Sequence, residues 1–430
     1  MKKAILSNRI WVNFEEELYE KAKLELTYKI PSKIPGDPPI VKCLLNKVGH
    51  KFLSFPIGRT DLIPNDYTIQ DKRVYNPVKF PEFKFKLRES QQKIYNSVED
   101  NCLISANPSW GKTFTGIAIA SKLKQKTLVI THTVNLRDQW VSEIEKTLGI
   151  KPGIIGGGKL NYKTQPIVIA NIQTLRMHVN ELKKVFGTII LDEAHHCPAK
   201  IFETSIDAMH ARYKIGLSAT FRRKDFLHIV IPDYFSKKMY IAPKENQMEP
   251  EILMVQSGIP FSSNNMIPWA NKVNELCDRP EYLDLVTGLA EQFADKGHLV
   301  LVVSDRTEFL DRCTNRSGDR SVMIIGSTEE RDALHEEIER KERDILYGSI
   351  SIYKEGISLS YLSCLIFAAP INNDPLLEQL IGRVQRTYPD KLTPIIIDII
   401  LKGTTAKRQA QNRARHYIRQ GYKVTHIDLS

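Results

Sequence analysis

The chain has 430 residues, 42% hydrophobic and 26% charged, which is enough for two or three globular domains and too polar for a membrane protein. No apolar run approaches the ~20 residues that cross a bilayer, and Asn8 and Arg9 break the N-terminal apolar stretch before a signal-peptide core forms, so a cytoplasmic protein is expected. Lys plus Arg number 61 against 50 Asp plus Glu, a net charge of +11 that favours a polyanionic partner.

Residues 1–84 read as a small mixed α/β accessory domain. Prolines at 31, 35, 38 and 39 interrupt them, and basic and aromatic residues interleave (Lys2, Lys3, Trp11, Tyr19, Lys21, Lys23, Tyr28). Residues 71–86, with Pro77 and Pro81, read as a linker. From Leu87 onward short apolar runs at 102–105, 127–130, 166–170, 188–191 and 214–217 predict buried parallel strands, with helices such as 115–123 and 135–146 between them. A second series at 299–303, 322–325, 349–353, 365–368 and 394–398 repeats the pattern. Two such series predict two doubly wound α/β domains, 85–245 and 246–430, with the seam near 242–250. Near the C-terminus Lys407, Arg408, Arg413, Arg415 and Arg419 form a basic helix, read either as a solvated face or as a phosphate contact.

Six scattered cysteines without a CxxC pair suit neither a disulfide framework nor a zinc site. His195, His196 and Cys197 are adjacent, but consecutive residues at a strand exit cannot all face one ion.

Residues 106–113, Ala-Asn-Pro-Ser-Trp-Gly-Lys-Thr, follow an expected strand and precede an expected helix. That is the setting of the phosphate loop G-x-x-x-x-G-K-[ST], where backbone N–H groups of a tight loop and a helix N-terminus surround an anion. Lys112 would reach the β- and γ-phosphates of ATP, Thr113 would hold Mg²⁺, and Ser109, Trp110 and Gly111 complete the loop. Ala106 replaces the first glycine and Trp110 stands where small residues are usual, so an ordinary strand–turn–helix is the alternative. Asp192 and Glu193 emerge from the apolar run 188–191 about 80 residues later. There Asp192 can hold Mg²⁺ through water and Glu193 can polarise the attacking water.

From about Leu87 to Tyr388 the sequence resembles the superfamily 2 helicases. Leu87-Arg88-Glu-Ser-Gln91 is similar to the adenine-recognising Q motif, with Gln92 the rival to Gln91. Thr131-His-Thr-Val-Asn135-Leu-Arg-Asp-Gln-Trp140 resembles motif Ia, Gln173-Thr174-Leu a segment that holds strand backbone, and Gly216-Leu-Ser218-Ala-Thr220 motif III. With His195, Ser218 and Thr220 are implied to couple hydrolysis to movement. In the second domain Ser304-Asp-Arg306 resembles motif IV, and Gly326-Ser327-Thr328 with Arg331 motif IVa. Glu355-Gly356-Ile-Ser358 resembles motif V, with Ser358 where Asp is commoner. Gln379-Leu-Ile-Gly-Arg383-Val-Gln-Arg386 matches motif VI, Q-x-x-G-R-x-x-R. Arg383 and Arg386, three apart on one expected helix, are implied to be arginine fingers acting with Gln379, and Gly356 to border the nucleotide.

Arg222-Arg223-Lys-Asp225 after motif III and Gly156-Gly157-Gly-Lys159 resemble the XPB-like group, which includes phage UvsW-type branch-migration helicases. That resemblance implies two RecA-like domains, ATP with Mg²⁺, and forked, branched or duplex DNA as track. It also implies a monomer or weak oligomer, in the host cytoplasm if phage-encoded. Thr131, Asn135, Gly157, Gln173, Thr174, Arg223, Ser304, Arg306, Ser327 and Thr328 are the implied nucleic-acid contacts. Residues 1–84 are implied to grip duplex DNA or to be purely structural. An RNA helicase, a translocase that leaves strands paired, and an ATP-dependent binding switch remain as other readings.

Overall fold

The computed structural model describes residues 2–32, 36–197, 200–223, 225–326, 328, 331–355 and 359–429. They form two compact units, Met1–Lys244 and Glu245–Ser430.

The first unit holds two sheets. Its N-terminal sheet runs in the order Asn46–Val48, Phe52–Pro56, Arg9–Asn13, Lys3–Leu6, Thr68–Asp71. Ala4, Leu6, Ile10, Val12, Leu53 and Phe55 are buried in it with Leu18 and Ala22 of helix Glu16–Glu25. This core is continuous with that of the α/β lobe, where Ile57 and Leu62 share a cluster with Val230, Ile231 and Phe235. At the seam Arg59, 2% exposed, pairs with Asp233 at 3.4 Å, and Tyr28 donates to Asp233 at 2.7 Å. A Cβ on Gly58 would lie 2.2 Å from Pro232 O, so only glycine lets the two backbones approach there. Arg9 adds an ion pair to Asp207 at 2.7 Å. The expected linker is packed against the lobe: Val74 bridges Ala211, Pro77 bridges Gln125, and Arg73 reaches Asp100 at 3.0 Å.

The main sheet of this unit orders Lys159–Leu160, Gly153–Gly156, Ile167–Asn171, Thr127–Thr131, Thr188–Leu191, Tyr213–Ser218, Cys102–Ser105 and Met239–Ile241. All pairings are parallel except the hairpin of the first two. Successive residues alternate between its two faces. Leu128, Ile130, Ile189 and Leu191 meet helices Ile172–Leu182 and Lys200–Ala208, while Val129 and Ile190 meet Ile117, Trp140 and Ile144 of helices Lys112–Leu123 and Val134–Leu148. Burial of both faces is why these strands read as unbroken apolar runs.

The second unit is one parallel sheet ordered Ser321–Ile324, Ile345–Ser349, Val300–Ser304, Cys364–Phe367, Ile395–Lys402, Glu251–Pro260, Lys423–Asp428. Helices Pro280–Asp295 and Thr307–Ser317 cover one face and Asp374–Val384 the other. Both units are RecA-like. One expected strand, 349–353, is misplaced: beyond Ser349 its residues are helical, not extended. The strand is Ile345–Ser349, and helix Ile350–Glu355 follows. The Ile-Ser-Ile-Tyr alternation imitates a strand, but the helix folds Ile352 and Tyr353 back into the core. The Tyr353 ring occupies the space a side chain on Gly348 would need. The basic C-terminal helix, Thr404–Gln420, also departs from a free cationic stripe: Arg413 is buried and forked onto Asp398 at 2.6 and 2.7 Å.

Candidate active site

In the first unit the strand order places Tyr213–Ser218 between the strand that feeds the phosphate loop and the strand that ends at Asp192. Ser218 pairs in register with Ser105, and Gly216 with Leu191. Three motifs far apart in sequence therefore end side by side at the C-terminal edge of one sheet, where open α/β folds bind ligands.

The phosphate loop folds tightly because Ser109 and Gly111 both take left-handed conformations, φ 74° and 88°. Ala106 does not, so no glycine is required at that position. Its N–H donates to Ser218 O at 3.0 Å. Trp110 does not obstruct the loop either. Its ring turns inward, 1% exposed, and its Nε1 donates to Ser90 Oγ at 2.9 Å. Arg88 and Gln91 both donate to the Trp110 carbonyl, Gln91 Nε2 at 2.8 Å, and Gln91 Oε1 accepts from Arg88 N–H at 3.0 Å. The expected adenine reader thus also holds the loop. Gln92 instead donates to Asn96 at 2.8 Å. Lys112 Nζ lies within the loop, 2.9 Å from Ala106 O.

Asp192 is buried, its Oδ2 accepting from Trp140 Nε1 at 2.8 Å and its Oδ1 from Glu193 N–H at 2.9 Å. Burial, then the neighbouring Glu193 charge, push the Asp192 carboxyl up, against the pull of Trp140 and Lys112. Burial opposes the Glu193 charge too, but His195, Lys112 and His132 outweigh it and hold that carboxyl low. Glu193 adopts φ 50°, and its Oε2 is buried without a hydrogen-bond partner. His195 Nδ1 stands 3.1 Å from that oxygen, yet its well-aligned contact is Ser218 Oγ at 3.0 Å. Ser218 Oγ in turn donates to Thr220 O at 2.6 Å. A hydroxyl that donates onward accepts from the ring, so the network assigns the Nδ1–H tautomer to His195.

The donor set suits a magnesium nucleotide. Mg²⁺ takes one or two carboxylates and leaves its remaining positions to phosphate oxygens and water. Among the described residues no cluster of three His, Cys, Asp or Glu side chains forms a dedicated metal cage, while Thr113, Asp192 and the unsatisfied Glu193 oxygen offer hard oxygen atoms.

The same sheet edge gathers part of the expected nucleic-acid contacts. A Cβ on Gly156 would lie 3.4 Å from Asn171 Cβ, 3.7 Å from Thr174 Oγ1 and 3.9 Å from Arg137 Nη1, and one on Gly157 3.5 Å from Arg137 Nη1. Arg137 is not among the residues expected from the sequence, although its place inside motif Ia, in the first turn of helix Val134–Leu148, is the available signal. Gln173 is exposed and Asn135 half-buried. Two other candidates are placed differently. Thr131 is fully buried. Arg223 is forked onto Asp225 at 2.6 and 2.8 Å and donates to His195 O at 2.7 Å, bracing the segment after motif III against motif II.

In the second unit Ser304 is buried and its Oγ accepts from Arg306 N–H. Arg306 pairs with Asp305 at 3.0 Å and donates to Asn274 at 2.6 Å. Thr328 Oγ1 accepts from Ile325 N–H at 3.0 Å. Ser327, Gly356 and Ser358 lie outside the described residues. Gln379 is buried, its Oε1 without a partner, and Arg383 Nε donates to Tyr353 O at 2.9 Å.

The expectation that Arg383 and Arg386 share a helix is corrected. The helix is Asp374–Val384, and Arg386 lies beyond it, bridged to Gln247. Met248 N–H takes the Gln385 carbonyl at 2.7 Å, and Lys391 Nζ caps the carbonyls of Val384 and Arg386 at 2.8 and 2.7 Å. These contacts replace the next helical turn. Arg386 is mostly buried, its Nε unpaired, and burial disfavours its charge.

Residues 84–223 match the family described as type III restriction enzyme, res subunit, and residues 282–388 the helicase conserved C-terminal domain. The chain is 41% identical to "Probable helicase D10" of Escherichia phage T5, over 98% of this chain and 95% of that one. It is 27% identical to "Putative ATP-dependent RNA helicase L396" of Acanthamoeba polyphaga mimivirus, over 74% and 64%. It is 22% identical to "DNA 3'-5' translocase XPB2" of Sulfurisphaera tokodaii, over 80% and 88%.

Proposed function

This chain belongs to the superfamily 2 helicases, and from that premise we propose that it is an ATP-dependent DNA helicase or translocase working on forked, branched or duplex DNA. One observation carries the reading. The sheet edge that presents Asp192 and Glu193 also presents Arg137, Gly156, Gly157 and Thr174, so hydrolysis and backbone grip share one rigid edge. When bound, Mg²⁺-ATP supplies the phosphoanhydride whose cleavage drives movement. Lys112 and the backbone N–H groups of the loop bind its phosphates, Thr113 and Asp192 hold the cation, and Glu193 orients the attacking water. By their resemblance to motif VI, Gln379, Arg383 and Arg386 are assigned a part in hydrolysis. The His195–Ser218–Thr220 chain reports the state of the carboxylates to the segment ending in Arg223.

Phosphate contacts make binding salt-dependent and nearly indifferent to sequence. Breaking a stacked pair costs about 1.4 kcal/mol per step, whereas branch migration re-forms one pair for each it breaks, which favours forks and junctions as tracks. The N-terminal sheet, fastened to the first lobe through Arg59 and Asp233, is the proposed duplex contact. ATPase and unwinding on matched single-stranded, blunt, forked and four-way DNA, with an RNA control, test this. Preference for RNA would move the chain to the reading that the mimivirus relative's name suggests.

A further inference from the structure

A cavity of about 400 Å³ opens in the second unit at the C-terminal ends of its strands, lined by Trp269, Asp305, Ile350, Ile371, Asn373 and Gln409 among others. None of its lining residues is a lysine or arginine, and Asp305 is its single charged one. A phosphate or other anion is therefore a poor occupant. Trp269 is 39% exposed, its ring fixed edge-on by Phe261 at 5.3 Å between centroids. Gln409 is 8% exposed and its Oε1 is buried without a partner, a cost that a ligand N–H would remove. The apolar wall is rigid, because Arg413, forked onto Asp398, also donates to Ile371 O at 3.1 Å. An aromatic platform, an unmatched amide and an acidic residue together suit a flat, uncharged ring that bears N–H donors.

We propose that this cavity takes one unpaired nucleobase, stacked on Trp269 and hydrogen-bonded through its amino group to Gln409. The proposal rests on the nucleic-acid reading above and names a base-binding site for it. Stacking on one aromatic residue is worth enough to change affinity about tenfold. The cavity adjoins motif IV through Asp305, so the bound base belongs to a strand passing that motif.

Two fluorescent probes test it on the full chain: a single-stranded oligodeoxynucleotide with 2-aminopurine at one position, scanned along its length, and free 2-aminopurine riboside. At one position the emission should be quenched several-fold. Trp269→Leu and Gln409→Leu should remove most of that quenching and weaken binding about tenfold, Trp269→Phe should retain most of it, and ATP hydrolysis without DNA should not change in any of them. Wild-type quenching and affinity in both Trp269→Leu and Gln409→Leu would overturn the proposal, as would no response to either probe. Trp269-dependent quenching of the riboside without oligonucleotide binding would support the pocket while defeating the motor reading.

Discussion

Trp140 donates its indole N–H to Asp192 Oδ2 at 2.8 Å, both groups being buried beneath the sheet edge. Trp140→Phe keeps most of the apolar volume and deletes the donor. Asp192, already pushed up by burial, then rises further, so the acid limb of the ATPase pH profile should move to higher pH. Losing a hydrogen bond to a buried charged acceptor should also cost about 1–3 kcal/mol of stability. A pH–rate profile with thermal melts of the same variant measures both effects, and an unmoved limb would remove Asp192 from the chemistry.

Lys112→Ala and Arg386→Ala should each lower ATPase at least ~10²-fold, since an arginine finger alone contributes roughly 10³–10⁵ in related phosphoryl transfers. Oligonucleotide affinity, measured by anisotropy, should change less than about threefold. Normal turnover in Arg386→Ala would show that its place beyond the helix end takes it out of hydrolysis.

Arg137→Ala should raise the DNA concentration needed for half-maximal ATPase several-fold and make the slope of log affinity against log salt shallower by about one contact. The rate without DNA should stay the same. An unchanged salt slope would remove Arg137 from the track.

The seam between the N-terminal sheet and the first lobe depends on Arg59 and Asp233, 2% and 2% exposed as residues. Arg59→Met leaves Asp233 without its charged partner, and breaking such a pair from one side costs about 3–5 kcal/mol. Denaturant melts should show that loss as a lower midpoint, and limited proteolysis should cut within 72–86 faster than in the native chain. Equal melts would mean that the ion pair is dispensable.

Burial, then Lys184, Lys214 and Lys183, lower the His210 imidazole to about 4. Between about 4 and the ordinary value near 6.5 the unfolded chain binds the extra proton, so stability falls as pH falls through that window. His210 is only partly buried, so the effect is screened. Thermal melts from pH 7 to pH 4 should decline less steeply in His210→Gln than in the native chain, and parallel slopes would contradict the assignment.

Local pattern revealed the strands wherever both faces are buried, because unbroken runs such as 127–130 and 188–191 have one plausible packing. It misplaced 349–353, where Ile, Ser, Ile and Tyr satisfy either period and only the fit of Tyr353 over Gly348 decides. Motif spacing singles out Lys112, Asp192 and Glu193, whose segments the fold brings to one sheet edge. It could not tell that Trp110 turns inward to Ser90, that Arg223 is consumed by Asp225 and His195 O, or that Arg413 belongs to Asp398. Those outcomes depend on partners that only the fold brings near. The bridge between Gln247 and Arg386, about 140 residues apart, ends the motif VI helix for the same reason.

The steady-state rate of ATP hydrolysis, taken with and without forked DNA for the native chain and Lys112→Ala, bears on the whole scheme at once. Turnover in the native chain should climb about tenfold or more when DNA is added, with the variant at background in both conditions. A native rate that neither DNA nor RNA alters, or a variant as fast as the native chain, would contradict a motor powered from this sheet edge.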